Sequence, residues 1–281
     1  MGKRKIDKSE YEEIMDLYRS GLSQKQIAKI YSVNENTISK IVCSFGEPKR
    51  RNRISGTRKY NLNETYFDNI DTPNKAYIIG LLWADGSNSI KNHTISISLQ
   101  EQDKDILVAV AKELESNCPL IFYNYKKKNP NFSNQYRLTI HSKYMSNTLE
   151  KLGMVQNKSI HLEFPTWLRY DLYSHFIRGY MDGDGWISKN SKAPRVEIVG
   201  TSNFCDGLSK YICEQFGIKC AIRKRYKESN SSVRQLDFGG RKQVKRFLDF
   251  IYNDSELFLQ RKFDIYKSIF ASNDINNSLS V

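Results

Sequence analysis

The chain has 281 residues, a formal charge of +13 and a pI near 9.4, so it can bury one large core or several small ones and calls for a polyanionic partner. With 39% apolar and 12% aromatic residues it is not a disordered chain, and no run approaches the roughly 18 uninterrupted apolar residues of a membrane span. Cys43, Cys118, Cys205, Cys213 and Cys220 form no Cys-x-x-Cys pair, and the four histidines make no His-Glu-x-x-His pattern, which excludes a disulfide framework and a recognisable zinc site. An anionic membrane surface is the weaker partner, because neither a basic amphipathic helix nor a lipidation signal is present. The start, Met-Gly-Lys-Arg-Lys, runs into an acidic helix instead of an apolar signal region, so a cytoplasmic or organellar-matrix location is expected rather than secretion.

Residues 1–46 read as a small all-α domain of three helices. Ser9 is expected to cap the first, through Ser20, with Tyr11, Ile14, Met15, Leu17 and Tyr18 as its apolar stripe. Gly21 breaks it. Ser23 caps a second helix, 24–31, that turns Ile27, Ala28 and Ile30 inward. After the turn Ser32-Val33-Asn34, a third helix over 35–43 buries Ile38, Ile41 and Val42. The string from Tyr18 to Ile41 resembles the helix-turn-helix of resolvases and related regulators. That resemblance implies a third helix in the DNA major groove, with Asn34, Glu35, Asn36, Thr37, Ser39 and Lys40 facing the bases. A plain three-helix bundle is the bland alternative.

Residues 47–71 read as an extended basic linker. In its first part, 47–60, Lys49, Arg50, Arg51, Arg53, Arg58 and Lys59 stand against the single acid Glu47, with almost nothing to bury, which suits phosphate contact.

From Thr72 the chain is duplicated, as repeats over 72–165 and 166–272, followed by a loose tail over 273–281. The duplicated segments are Ala76-Tyr-Ile-Ile-Gly-Leu-Leu-Trp-Ala-Asp85-Gly86 and His175-Phe-Ile-Arg-Gly-Tyr-Met-Asp-Gly-Asp184-Gly185, their aspartates 99 positions apart. The first repeat is expected to run as a motif helix over 73–85, a strand near 89–99 and a helix over 103–115. Strands near 119–126 and 134–141 and a helix over 142–152 complete it. The second is expected to have its motif helix over 172–184, strands near 186–189, 194–201, 219–227 and 232–238, and helices over 203–216, 240–252 and 256–270. Alternation of Ile95, Ile97 and Leu99 with Ser96, Ser98 and Gln100 predicts a sheet with one buried and one polar face. The fold class is α+β, with helices on one side of each sheet.

Gly80 and Gly179 fall in mid-helix, where glycine costs on the order of 1 kcal/mol relative to alanine, and are expected where two helix backbones come very close. Gly86 and Gly185 are expected as left-handed caps. Asp85 and Asp184 then sit at two helix C-termini, where the dipole is negative and carbonyls lack partners, a setting suited to Mg²⁺ and phosphodiester hydrolysis.

These motifs resemble the LAGLIDADG signature, and residues 72–271 resemble a monomeric, two-repeat LAGLIDADG homing endonuclease. The resemblance implies two saddle-shaped sheets over DNA with the motif helices as the seam. Asp85 and Asp184 would bind Mg²⁺, with Mn²⁺ able to substitute, helped by the backbone carbonyls of Ala84 and Gly183. Asp182 aligns with Trp83, so this acid is unpaired and receives no catalytic role. A further correspondence joins Gly153-Met-Val-Gln-Asn-Lys158 to Leu257-Phe-Leu-Gln-Arg-Lys262, and the resemblance places Lys158 and Lys262 near the scissile phosphate.

Base readers expected on the polar face are Lys91, His93, Ser96, Ser98, Gln100, Tyr123, Tyr125, Arg137 and Thr139 in the first repeat. In the second they are Lys189, Arg195, Glu197, Arg223, Arg225, Lys227, Arg234, Gln235 and Asp237, and a register slip of one would invert either set. The resemblance implies a double-strand break in a long DNA target, one strand per active site across the minor groove, leaving short 3′ overhangs. The chain would act as a monomer without an obligate protein partner. A DNA-binding regulator without catalysis and an RNA maturase are the competing readings. An intein-embedded form is not expected, since the sequence starts with Met and ends Ser-Leu-Ser-Val.

Overall fold

A computed structural model describes residues 6–20, 22–46, 59–155, 158–225 and 233–271. They divide into two compact units, Met1–Lys59 and Tyr60–Val281.

The first unit has three helices, α1 (Tyr11–Arg19), α2 (Gln24–Ile30) and α3 (Glu35–Ser44). Its entry differs from expectation. Asp7, not Ser9, begins the helical path: its carboxylate accepts from Ser9 N while Glu10 reaches back to Asp7 N, a reciprocal cap over one 3₁₀ turn. Ser23 caps α2 in the same reciprocal way with Gln26. Ile14, Met15, Tyr18, Ile27, Ala28, Ile38, Ile41 and Val42 form a separate core. Ile30 is not part of it: the buried stripe centres on Ile27, Ala28 and Tyr31, leaving Ile30 on the flank at 57% exposure.

The second unit holds both repeats around one continuous core. In the first, α4 (Pro73–Asp85) leads straight into β1 (Gly86–Ser89). Next come β2 (Thr94–Gln100), α5 (Lys104–Glu113), β3 (Ile121–Tyr123), β4 (Gln135–His141), α6 (Lys143–Lys151) and the short α7 (Lys158–His161). The second runs α8 (Tyr173–Asp184), β5 (Gly185–Ile187), β6 (Arg195–Thr201), α9 (Ser202–Phe216), β7 (Ala221–Lys224), β8 (Val233–Gly239), α10 (Arg241–Tyr252) and α11 (Gln260–Phe270). Each repeat makes a four-stranded antiparallel sheet, ordered β1-β2-β4-β3 and β5-β6-β8-β7. The fold is α+β, as the number of strands and helices expected in each repeat implied.

One strand was expected near 89–99 where two exist, because a turn at residues 90–93, with His93 at φ +50°, splits the segment. Gly86 and Gly185 are not left-handed caps. Their φ values are −82° and −101°, extended backbone that carries the chain directly from helix into strand. Glycine is needed for space instead: a Cβ on Gly86 would lie 2.6 Å from Leu82 O, and one on Gly185 would lie 2.5 Å from Met181 O. Among the described residues no helix is long and apolar enough to cross a membrane.

Candidate active site and groove face

The site is built on a seam of two helices. A Cβ on Gly80 would stand 2.1 Å from the carbonyl oxygen of Phe176, and one on Gly179 would stand 2.0 Å from that of Tyr77. Backbone therefore packs on backbone between α4 and α8, which no side chain would permit. The contact continues to the helix ends, where a Cβ on Gly183 would meet Ala84 Cβ at 2.3 Å and Asp85 Oδ2 at 3.0 Å. Asp85 and Asp184 are thus brought together, one from each repeat.

Their surroundings raise both carboxyl pKa values. Burial pushes Asp85 up to about 6, and the neighbouring Asp184 adds to it, against the opposing charges of Lys158, Lys262 and Arg261. Asp85 keeps an exposed edge, so solvent screens part of that repulsion. Asp184 is raised by burial and held back by Lys158, Lys262 and Arg225. Beside them lies a cavity of about 600 Å³ lined by Ala84, Ser87, Lys158, Tyr180, Asp184 and Arg225, among others.

Both lysines come to the helix ends. Lys158 Nζ donates to the carbonyls of Trp83 and Ala84. Lys262, only 4% exposed, donates to those of Met181 (2.6 Å), Asp182 (2.7 Å) and Gly185 (2.6 Å). Each ammonium therefore satisfies carbonyls that a helix C-terminus leaves without partners. Burial lowers both to about 8, and the site aspartates oppose that fall, joined at Lys262 by Asp182. Ala84 O, expected as a metal ligand, already accepts from Lys158 and has one lone pair left to offer.

Behind these groups lie supports that the sequence did not disclose. Asn88 is buried; its amide donates to Ser146 O and Met154 O, anchoring the chain that leads to Lys158. Asp182 is also buried and accepts from Tyr77 OH at 2.9 Å and Leu259 N at 2.8 Å. Arg178, fully buried, donates to Ile251 O and Leu257 O, and lies 3.0 Å from His175 Nδ1. Arg261 forms an ion pair with the buried Asp103, tying α11 to the first repeat. Asp182 thus ties Tyr77 of the first motif helix to the chain that leads to Lys262.

The strand registers decide which of the residues expected on the polar faces share a side of their sheet. In the first sheet Ser87 is opposite Ser96, which is opposite Thr139; Ser98 is opposite Arg137, and Gln100 opposite Gln135. Residues directly opposite share a face, so Ser96, Ser98, Gln100, Arg137 and Thr139 fall together as expected, away from the buried Ile95, Ile97 and Leu99. Tyr123 joins them opposite Gln135, and its ring lies 4.6 Å from the Arg137 guanidinium. Tyr125 follows β3 and stacks on Tyr123. Lys91 and His93 occupy the turn before β2, and Lys189 is exposed just after β5.

In the second sheet Arg195, Glu197, Arg223, Gln235 and Asp237 share the groove face. Arg234 does not. It alternates with Gln235, pairs with Gly200 and Lys224, and lies on the face of Leu236 and Phe238, packed toward the helices. Arg225 extends beyond β7 to the cavity. Trp186, 50% exposed, was missed; it stands opposite Glu197 on the groove face, and only the register of β5 reveals it.

In the first unit Asn34, Glu35, Asn36 and Lys40 are exposed, with Thr37 and Ser39 partly so. The Asn34 side chain accepts from Asn36 N at 2.9 Å, so it serves as the cap of α3. Lys49, Arg50, Arg51, Arg53, Arg58 and Lys227 lie outside the described residues.

Residues 171–252 match the LAGLIDADG-like domain family. Three curated relatives come from Methanocaldococcus jannaschii. A probable translation initiation factor IF-2 is 32% identical over 99 residues, covering 33% of this chain and 8% of that protein. A glutamine–fructose-6-phosphate aminotransferase is 25% identical over 238 residues, covering 80% and 20%. An uncharacterized protein is 26% identical over 182 residues, covering 62% and 65%. The chain therefore spans less than two thirds of each of these relatives. Among solved structures it is similar to the I-LtrWI LAGLIDADG homing endonuclease bound to target DNA, at 14% identity and TM-score 0.48, over 77% of this chain and 92% of that one. It is also similar to the N-terminal LAGLIDADG domain of DUF199/WhiA, at 17% identity and TM-score 0.46, over 72% and 93%.

Proposed function

We propose that this chain, whose residues 171–252 are a LAGLIDADG-like domain, is a site-specific DNA endonuclease acting as a monomeric pseudo-dimer. The observation that carries the reading is the pairing of Asp85 and Asp184 at the ends of two helices packed through Gly80 and Gly179. Those helices end where two sheets begin, each with a polar face rich in hydrogen-bonding side chains. A net charge of +13 supports a nucleic-acid partner.

The donor set fits Mg²⁺. Two hard oxygen acids with raised pKa values gain from a dication, and the Ala84 and Gly183 carbonyls are hard donors beside them. Among the described residues no cluster of three His, Cys, Asp or Glu side chains exists, so phosphate and water would complete the coordination sphere. When bound, the metal supplies charge neutralisation and an activated water at the scissile phosphate, and Mn²⁺ would substitute. Asp85 and Asp184 would hold that cation. Lys158 and Lys262 keep the helix-end carbonyls satisfied and add positive charge beside the phosphate. Each active site would cut one strand across the minor groove, leaving short 3′ overhangs. Residues 1–60 would add affinity, so deleting them should weaken binding and flatten its salt dependence.

The test is a plasmid carrying the insertion-free locus, incubated with and without Mg²⁺. Wild type should linearise it only with the metal, and Asp85→Asn and Asp184→Asn should fail. Tight binding without cutting under any divalent metal would replace this reading with that of a non-catalytic DNA-binding protein.

A further inference from the structure

The two groove faces differ in chemistry at matching positions. The helix-to-strand glycines set the correspondence, because Gly86 pairs with Ile97 and Gly185 with Ile198. Counting outward along the paired strands, Thr94 corresponds to Arg195, Thr139 to Asp237 and Ile121 to Arg223. A neutral set in the first sheet is thus a charged set in the second.

That charged set is organised around its acid. Asp237 lies on the groove face yet is only 3% exposed, beneath two arginine heads that are 48% and 67% exposed. One carboxylate oxygen holds Arg195 Nη2, and the other lies 3.8 Å from Arg223 Nη1. Each contact uses one guanidinium nitrogen and leaves further N–H donors on side chains that remain largely exposed. An untethered arginine gives up rotamer freedom on binding, so a tethered one loses less.

Two targets compete for such arginines, phosphates and base edges. With Glu197 directly opposite Asp237, two acids balance the two arginines, and the patch has no net charge to attract a phosphate. Bidentate donors set against an acceptor instead match a G·C pair, with arginine on guanine O6 and N7 and glutamate on cytosine N4. We propose that the second sheet selects guanine at two positions of its half-site through Arg195 and Arg223, with Asp237 as the positioning residue for both. Thr94 and Ile121 give the first half-site no counterpart. This specificity rests on the DNA-endonuclease reading.

The test is selection of duplexes from a randomised library by the full-length protein, followed by measurement of base preference at each position. Wild type should enrich guanine at two positions on one side. Arg195→Gln and Arg223→Gln should each flatten one of them by about tenfold, leaving the other positions alone. Asp237→Asn should flatten both while leaving the salt dependence of binding unchanged. A uniform loss across all sequences with a reduced salt slope in the arginine variants would mark phosphate contacts and overturn the inference. So would an enriched site whose second half is unchanged in all three variants. Enrichment of no sequence at all would overturn the endonuclease reading as well.

Discussion

In the first repeat Lys158 opens a helix of four residues, and the chain leading to it is anchored by the neutral amide of Asn88. In the second, Lys262 belongs to an eleven-residue helix, and the residues before it are anchored by the buried carboxylate of Asp182, next to the fully buried Arg178. The position of Asn88 is occupied by Ile187 in the second repeat, and that of Asp182 by Trp83 in the first. One task, holding an ammonium against the end of a motif helix, is thus met by a strand amide on one side and a buried carboxylate on the other. What the repeats share is the seam and its two carboxylates. What they do not share lies one layer behind.

The largest effects are expected where the repeats agree. Asp85→Asn and Asp184→Asn should each lower double-strand cleavage at least about a thousandfold, since metal-held charge stabilisation is worth several kcal/mol. Substrates labelled on each strand will sharpen the comparison, because a residual nick confined to one strand assigns each aspartate to its cut. Gly179→Ala should destabilise the fold by about 3 kcal/mol, with Gly80→Ala close behind, because each methyl would meet backbone instead of a side chain that can turn away. Urea unfolding of both variants checks this, and an unchanged midpoint would refute the close-packed seam.

Smaller effects are expected where the repeats differ. Asp182→Ala removes the buried carboxylate that accepts from Tyr77 OH and Leu259 N, and should cost about 2–3 kcal/mol, the range of hydrogen bonds to a charged group. Asn88→Ala breaks neutral bonds only and should cost about 1–3 kcal/mol. Equal costs in urea titrations would remove the distinction between an ionic and a neutral support. The smallest effect depends on pH. Burial, then the charge of Arg178, lowers His175 to about 4, so the folded chain refuses a proton that the unfolded chain accepts below about 6.5. Stability from this group is complete above about 6.5 and falls as the pH drops toward 4. Ala76 stands at the matching place in the first repeat, so His175→Gln should flatten the acid limb of a melting-temperature profile.

The duplicated motif was legible because its signal is local and periodic: an apolar helix with a glycine at its centre and an aspartate at its end. The groove face was legible wherever small polar residues alternated with isoleucine, as in β2. It failed at Arg234, because in β8 Arg234, Gln235 and Asp237 are all polar and only pairing with β6 decides which way each points. The helix-end glycines misled for a related reason. A glycine after a helix suggests a left-handed cap, and Gly217 at +62° is one, but Gly86 and Gly185 meet the next strand immediately and need space instead of a positive φ. The partnerships of Asn88, Asp182 and Arg261 join residues from 58 to 158 positions apart, a range that no pattern along the chain can carry.

The glycine seam also bears on how such a chain can change over generations. Because Gly80 and Gly179 set the helix separation through backbone alone, the side chains on the polar sheet faces take no part in fixing it. Under the proposed function, mutations could rewrite either polar face without moving the two aspartates, and a lineage following a drifting DNA address could alter its readers one at a time.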